Sequence, residues 1–309
     1  MPNQLPDFIA HHRPALEAAL DRWLPLSLQR GAERLNEALR YAVFSGGKRL
    51  RPMLTLIGAS LVGCDAEDSL PASCAVEFLH TSSLILDDLP AMDDADLRRG
   101  RPTLHLVLGE GVAVLAALAL LNQSYALFAL TARRRSKPGQ VERLIAEAVE
   151  CIGADGMIGG QVADLELRAA SAAPDAFASR NLKTTALMRL TMTAGAMACG
   201  AGEADTAALA RFGECLGLAY QACDDLIDEI GENALAGKTV GQDARHLRPT
   251  FVTELGIEGA RRLALKLAGE GKAAIIERFG QCYETQLLAE VLDSVIREVE
   301  KFELMADAA

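Results

Sequence analysis

Residues 111–131 read GVAVLAALALLNQSYALFALT. Wound at 3.6 residues per turn, this stretch is apolar on nearly all sides, and it is predicted to be a buried central helix. Its unbroken apolar run, Val112 to Leu121, falls short of the roughly 20 residues a bilayer span needs, so no membrane insertion is expected. Helical spacing continues on both sides. Leu16, Leu20, Trp23 and Leu24 share one side of a helix expected over Pro14 to Leu24, and Leu35, Leu39 and Val43 mark another over Ala32 to Phe44. The chain breaks at Ser45-Gly46-Gly47, and a proline in a first helical turn suits a new helix from Pro52 to Val62. Further helices are expected over Pro71 to Asp88, Val141 to Cys151, Gly156 to Leu167, Leu182 to Cys199, Thr206 to Ile230, Gly259 to Phe279 and Leu287 to Phe302. A basic turn spans Arg133 to Gly139 and a loop Ala169 to Ser179. No strand-like alternation extends beyond a few residues, and an all-α fold follows.

Composition agrees. Half of the 309 residues are hydrophobic but only 5% are aromatic, a balance suited to helices packed on helices. A formal net charge of −11 argues against nucleic acid and anionic lipid as partners. Seven cysteines are scattered with no CxxC pair, and they are expected to be reduced core residues of a cytoplasmic protein. The first twenty residues show no basic start followed by an apolar run, so no signal peptide is expected.

Two acidic groups break the apolar pattern. Asp87, Asp88, Asp93, Asp94 and Asp96 place five carboxylates within ten residues at the end of a helix. Like charges so close resist ionisation unless cations neutralise them, and a helix C-terminus disfavours anions. Hard oxygen donors suit Mg²⁺, which takes one or two carboxylates together with waters and substrate phosphates. In the second group, Gln221, Asp224, Asp225 and Asp228 form one stripe on a helix whose neighbours Leu216, Leu218 and Ala219 are apolar. No Lys or Arg stands at the four-residue spacing that would pair them. Either group alone could be a solvated surface. Two on apolar helices point to several cations around a diphosphate, with Lys48, Arg51, Arg98, Arg99, Lys183, Thr184 and Lys238 as the remaining phosphate ligands. His80 lies two turns before Asp87 on the same helix face; alone it reads as a satisfied helix histidine, and together with the acidic group as a hydrogen-bond partner of a second diphosphate.

With these residues in place, the chain resembles the trans-prenyltransferases, the farnesyl and geranylgeranyl diphosphate synthases, over nearly its whole length. Gly46 to Pro52 (GGKRLRP), Asp87 to Gly100 (DDLPAMDDADLRRG), Gly160 to Leu165 (GQVADL), Lys183-Thr184 and Gln221 to Asp228 (QACDDLID) match that family's motifs in its order. The resemblance implies a single helical domain over residues 1–309, a bundle of long antiparallel helices around a deep apolar pocket, and a homodimer. It implies Asp87, Asp93 and Asp224 as ligands of Mg²⁺, of which three ions are expected, with Asp88 and Asp228 completing the set and Asp225 in support. Arg98, Lys183, Thr184, Gln221, Lys238 and Arg248 would hold the allylic diphosphate, and Lys48, Arg51, His80 and Arg99 isopentenyl diphosphate. The implied reaction ionises the allylic C–O bond, adds the cation to the isopentenyl double bond and loses a proton.

Three departures stand out. Leu86 occupies a position where many members have His, the Ala116 to Leu120 stretch around Leu118 replaces a frequent Gly-Asp pair, and Arg248 replaces a frequent Lys. Product length in this family depends on the residues four and five before the first Asp, here Ser83 and Ser82, which leave the pocket open. Phe78, one turn or ~5.4 Å further down, is the candidate floor. The expected product is geranylgeranyl diphosphate, with farnesyl diphosphate as the alternative. A terpene cyclase would need a hydroxyl residue at Asp228 and no isopentenyl site. A non-catalytic partner subunit would lack one acidic motif.

Overall fold

Ala- and Leu-rich segments separated by glycines and polar caps should wind into helices nearly end to end. The computed structural model describes residues 4–134, 139–167, 182–230 and 250–306. Lys238, Arg248, the expected loop over 169–179 and residues 135–138 of the basic turn lie outside the described residues. Contacts gather the chain into two compact units, one built from Pro6–Ala146 and Thr193–Ala201 and the other from the rest.

In the first unit run α1 (Leu5–Trp23), α2 (Glu33–Val43), α3 (Leu50–Ser60) and α4 (Ala66–Asp87). A two-stranded ribbon follows, β1 (Leu97–Arg98) and β2 (Arg101–Pro102), then α5 (Leu104–Leu108) and α6 (Glu110–Arg134). Pro52 sits in the first turn of α3, where its missing N–H costs nothing. Pro14 and Pro71, expected to open helices, stand inside α1 and α4 instead. The earlier start of α4 follows Asp65, an extended cap residue, with Glu67 and Asp68 in the first turn facing the positive end of the helix dipole. In α1 the buried Leu5, Leu16 and Leu20 carry the helix across Pro14.

The core of this unit is α4 laid along α6, with α3 on α4. Phe78, Leu79, Met53, Leu54, Ile57, Leu120, Leu127 and Phe128 are fully buried there. Small residues let α4 and α6 approach. Ser82 Oγ donates to the Ala117 carbonyl at 2.8 Å, and Ser124 Oγ donates to the Ala75 carbonyl at 2.9 Å.

The expected full burial of 111–131 is corrected. Leu115 and Leu118 are 59% and 51% exposed, because α2, α4 and α5 cover only part of the α6 surface. The span Glu110–Ala132 is also long and apolar enough to cross a membrane, a length the ten-residue run Val112 to Leu121 understated.

The remaining helices are α7 (Gln140–Ile152), α8 (Met157–Leu167), α9 (Leu182–Ala198), α10 (Glu203–Ile230), α11 (Phe251–Phe279) and α12 (Tyr283–Ala306). In the second unit α10 packs along α11, and α12 touches both. Leu209, Phe212, Leu216, Leu226, Ile275, Leu288 and Leu292 form that core. The last helix pair starts earlier than its apolar spacing indicates. Thr250 caps α11, accepting from the Thr253 N–H at 3.0 Å while its own N–H donates to Thr253 Oγ1 at 2.7 Å. Gly256, at φ 70°, then bends the helix where a side chain would strain it.

The final turns of α9 belong to the first unit. There a Cβ on Gly195 would lie 2.5 Å from the Thr55 carbonyl oxygen, so only glycine fits beside α3. At that junction Cys64 and Cys199 form a disulfide, which corrects the expectation of a fully reduced set. Their separation of 135 residues hid a pairing that only the fold creates.

A cross-link over so long a loop restricts the unfolded chain by roughly 3–5 kcal/mol. Thiol titration of denatured, unreduced protein is expected to find the five free cysteines and to gain two more on reduction. Cys64→Ser is expected to lower the thermal midpoint only when the wild-type reference is oxidised. Seven reactive thiols before reduction would contradict the bridge.

Candidate active site

In the first unit the acidic stretch sits where α4 stops. The chain turns through Leu89–Asp94 and returns, so that the Asp93 N–H donates to the Asp87 carbonyl at 2.9 Å and the Ala95 N–H to the Asp88 carbonyl at 3.2 Å. This brings Asp93 back beside the helix end. Asp87 and Asp88 are buried, Asp93 is half-buried, and Asp94 and Asp96 face solvent. The five acids therefore do not act as one group.

The ribbon after them is a hairpin that composition did not reveal. Arg99 at φ 55° and Gly100 at φ 72° form its two-residue turn, the left-handed geometry that suits right-twisted strands. The reversal carries Arg98 onto Asp88, with Nη2 and Nε donating to Oδ1 at 2.5 and 3.0 Å. Burial pushes the Asp88 carboxyl above the usual range, against the pull of Arg98. Arg99 swings the other way and donates to the Gly46 carbonyl. Gly47 sits at φ 122°, where a side chain would be strained, and a Cβ there would also push on the Arg99 guanidinium 2.7 Å away.

Beside the Gly46-Gly47 turn stand the other expected ligands of the second diphosphate. Lys48 is exposed, and Arg51 lies in the first turn of α3. Arg51 Nη1 lies 3.1 Å from His80 Nε2 on α4. Burial, then Arg51, Arg99, Arg98 and Arg49, holds the His80 pKa well below its ordinary value. The ring is thus neutral, accepts from Arg51 at Nε2 and carries its proton on Nδ1. That Nδ1 is buried without a hydrogen-bond partner. The first unit thus brings Asp87, Asp88, Asp93, Arg98, Arg99, Lys48, Arg51 and His80 to one end of α4. The only non-glycine residues with positive φ among the described residues, Arg49, Asp94 and Arg99, lie in these same turns, the kind of local strain that gathers at working sites.

In the second unit, α10 carries Gln221, Asp224, Asp225 and Asp228 near its C-terminal end. The expected single stripe is divided. Gln221, Asp224 and Asp228 are half-buried, whereas Asp225 is only 2% exposed and points into the protein. Its Oδ2 accepts the Phe251 N–H at 2.7 Å, and its Oδ1 accepts Gln221 Nε2 at 2.8 Å. Asp225 therefore holds the first turn of α11 and orients Gln221. A helix N-terminus is a favourable place for a carboxylate.

Lys183 and Thr184 begin α9. Three glycine contacts place them, one from the Gly160 that opens a quoted motif and two from glycines in none. A Cβ on Gly160 of α8 would lie 2.3 Å from the Lys183 backbone nitrogen, so the glycine lets α8 touch the start of α9. Gly213 and Gly217, one turn apart on α10, receive α9 in turn. A Cβ would meet the Met188 carbonyl oxygen at 2.6 Å from Gly213 and Thr185 Cα at 3.1 Å from Gly217. A glycine pair at four-residue spacing was the available signal. On the helix before Lys183, Gln161 is half-buried and Asp164 buried.

Among the described residues no three His, Cys, Asp or Glu side chains already surround a common point. The donor sets still suit a hard, hydrated cation. Mg²⁺ needs only one or two carboxylates per ion and completes its octahedron with water and phosphate oxygens. Asp87 with Asp93, and Asp224 with Asp228, offer oxygen donors of that kind.

The polyprenyl synthetase family model matches residues 32–285. The chain is 37% identical over 268 residues to geranylgeranyl pyrophosphate synthase 9 of Arabidopsis thaliana chloroplasts, an alignment covering 85% of this chain and 72% of that protein. It is 40% identical over 273 residues to a dimethylallyltranstransferase of Fischerella ambigua (strain UTEX 1903), covering 87% and 77%. Among solved structures, an apo FPP/GFPP synthase of Zymomonas mobilis superposes with a TM-score of 0.82 at 31% identity, covering 96% of this chain and 100% of that one.

The glycine contacts give an ordered expectation. Alanine in a helix ordinarily gains up to ~1 kcal/mol over glycine. Gly213→Ala is nonetheless expected to lower stability by about 1–3 kcal/mol, since its methyl must displace a backbone carbonyl. Gly217→Ala, whose neighbours leave more room, is expected to lose less. Denaturant unfolding of both variants checks the order, and a stabilised Gly213→Ala would refute the close approach.

Proposed function

This chain belongs to the polyprenyl synthetase family, and from that premise we propose that it is the Mg²⁺-dependent geranylgeranyl diphosphate synthase type of short-chain trans-prenyltransferase, built as a homodimer. The substrates are isopentenyl diphosphate and the allylic dimethylallyl, geranyl and farnesyl diphosphates. The observation that carries this is the set at one end of α4, where the acidic turn meets Arg98, Arg99, Arg51 and a neutral His80.

Arg51, His80, Arg99 and Lys48 hold isopentenyl diphosphate. A guanidinium gives paired donors to phosphate oxygens, and a neutral His80 adds one N–H without repelling its arginine neighbours. Lys183, Thr184, Gln221 and Arg98 hold the allylic diphosphate, with Lys238 and Arg248 assigned to it by motif. Asp87, Asp93, Asp224 and Asp228 would hold magnesium, in the company of Asp88, with three ions proposed. When bound, magnesium neutralises charge building on the departing diphosphate. Apolar walls keep water from the allylic cation. Asp225 acts at one remove, through Gln221 and α11.

The product is proposed to have twenty carbons. Ser82 and Ser83 are small, buried and tied to backbone carbonyls, Ser82 to Ala117 on α6 and Ser83 to His80. Phe78, fully buried one turn below Ser82, is the proposed floor. The exposed Leu115 and Leu118 on α6, with Leu106 and Val107 on α5, supply an apolar face for a second copy. A sedimentation mass of one chain would sink that part. We also propose a cytoplasmic location, supported by five free thiols; the Cys64–Cys199 bridge weighs against it.

Purified protein, Mg²⁺ and labelled isopentenyl diphosphate with each allylic primer are expected to give a twenty-carbon product, and chelation to stop it. Ser82→Tyr is expected to shift the product to fifteen carbons. Wild type halting at fifteen would move the floor above Phe78. No elongation with any primer would overturn the proposal.

A further inference from the structure

The turn that carries Lys48 and Arg51 is gripped from beneath by Arg49 of the same motif, together with Arg13, Glu17 and Glu77, which belong to no motif above. Arg49, at φ 54°, points away from its neighbours and into the protein, where its side chain is 2% exposed. Its Nη1 donates to Glu77 Oε1 at 2.6 Å, its Nη2 to the Val43 carbonyl at 2.7 Å, and its Nε to Glu17 Oε1 at 2.9 Å. A further bond runs from Nη2 to Glu17 Oε2 at 3.2 Å. Burial lowers the Arg49 pKa, but Glu17 and Glu77 outweigh it and hold the guanidinium charged. Glu77 is itself buried, and it precedes His80 by three residues on α4. Arg49–Glu77 and Arg51–His80 are therefore two successive rungs between the start of α3 and the face of α4.

The other end of this clamp is α1. Arg13 Nη2 donates to the Gly47 carbonyl at 2.8 Å, and Glu17 lies one turn further along the same helix. With Arg99 on the Gly46 carbonyl, both carbonyls of the Gly-Gly turn are held by guanidinium groups. Gly46 and Gly47, at φ 95° and 122°, have little stiffness of their own, so the outside grips fix where Lys48 and Arg51 project.

We infer that Arg13 and Glu17 of α1, acting through Gly47 and Arg49, are positioning residues for the isopentenyl diphosphate subsite. This rests on the assignment of Lys48, Arg51 and His80 to that substrate. Neither residue touches substrate. Loosening the clamp leaves the allylic subsite in place and blurs the position of the second diphosphate, where small misplacements are costly. A merely structural role would lower stability without separating the two substrates.

The test uses the full-length enzyme with Glu17→Gln, Arg13→Ala, Arg13→Lys and, as reference, Arg51→Gln. Glu17 is partly exposed, so its variant is expected to fold. Glu17→Gln and Arg13→Ala are expected to raise KM for isopentenyl diphosphate roughly tenfold, with KM for the allylic primer and saturated kcat within about twofold. Arg13→Lys, which keeps a charged donor for Gly47, is expected to recover most of the loss. Unchanged KM in both variants while Arg51→Gln raises it would overturn the clamp and leave the subsite assignment standing. Unchanged KM in all of them would overturn both. Equal rises in both KM values would assign α1 a general structural role and also overturn the inference.

Discussion

A charge carried out of water must be met by an opposite charge or by N–H donors, or it unfolds what surrounds it. That constraint organises this molecule. Three of the buried carboxylates are met in two ways, two by a guanidinium and one by N–H donors. Asp88 receives the Arg98 guanidinium, Glu77 receives Arg49, and Asp225 receives a helix N-terminus and an amide. Each pairing also places something else. The first turns the hairpin, the second anchors the glycine turn before α3, and the third sets the start of α11. Removing Arg98 or Arg49 would strip a buried carboxylate of its guanidinium, at a cost above that of a surface ion pair.

The acidic motifs consequently contain two kinds of carboxylate. Asp88 and Asp225 bind protein groups and shape the turns. Asp87, Asp93, Asp224 and Asp228 are the ones assigned to cations. In α10 this division separates adjacent aspartates, Asp225 buried beside the half-buried Asp224. Successive residues on a helix point about 100° apart, so one of a pair can face inward while its neighbour faces the site.

Much of the fold was legible. The Ala–Leu periodicity gave the helix series, and acids interrupting apolar helices marked the candidate site, because both are local patterns. What stayed hidden depends on distant partners. Pro14 and Pro71 looked like helix starts because the buried face of α1 and the acidic first turn of α4 outweigh a single lost hydrogen bond. The Arg99-Gly100 turn is too short to register as strand pairing. Nothing near Asp225 in sequence indicates that its partner is the N–H of Phe251, 26 residues on. Cys64 and Cys199 give no hint of each other, and Arg49 reads as one more cation of a basic run until Glu17 and Glu77 are beside it. The full burial expected of 111–131 failed because apolar periodicity cannot distinguish a face covered by the same chain from one left open.

The division of labour between adjacent aspartates is tested most directly by the Mg²⁺ dependence of elongation in Asp224→Asn and Asp225→Asn, measured beside their thermal unfolding. The account predicts that Asp224→Asn raises the half-saturating Mg²⁺ concentration at least tenfold with little change in unfolding, and that Asp225→Asn lowers the unfolding midpoint with the Mg²⁺ requirement within about twofold of wild type. A large rise in the Mg²⁺ requirement of Asp225→Asn, with unfolding unchanged, would contradict it.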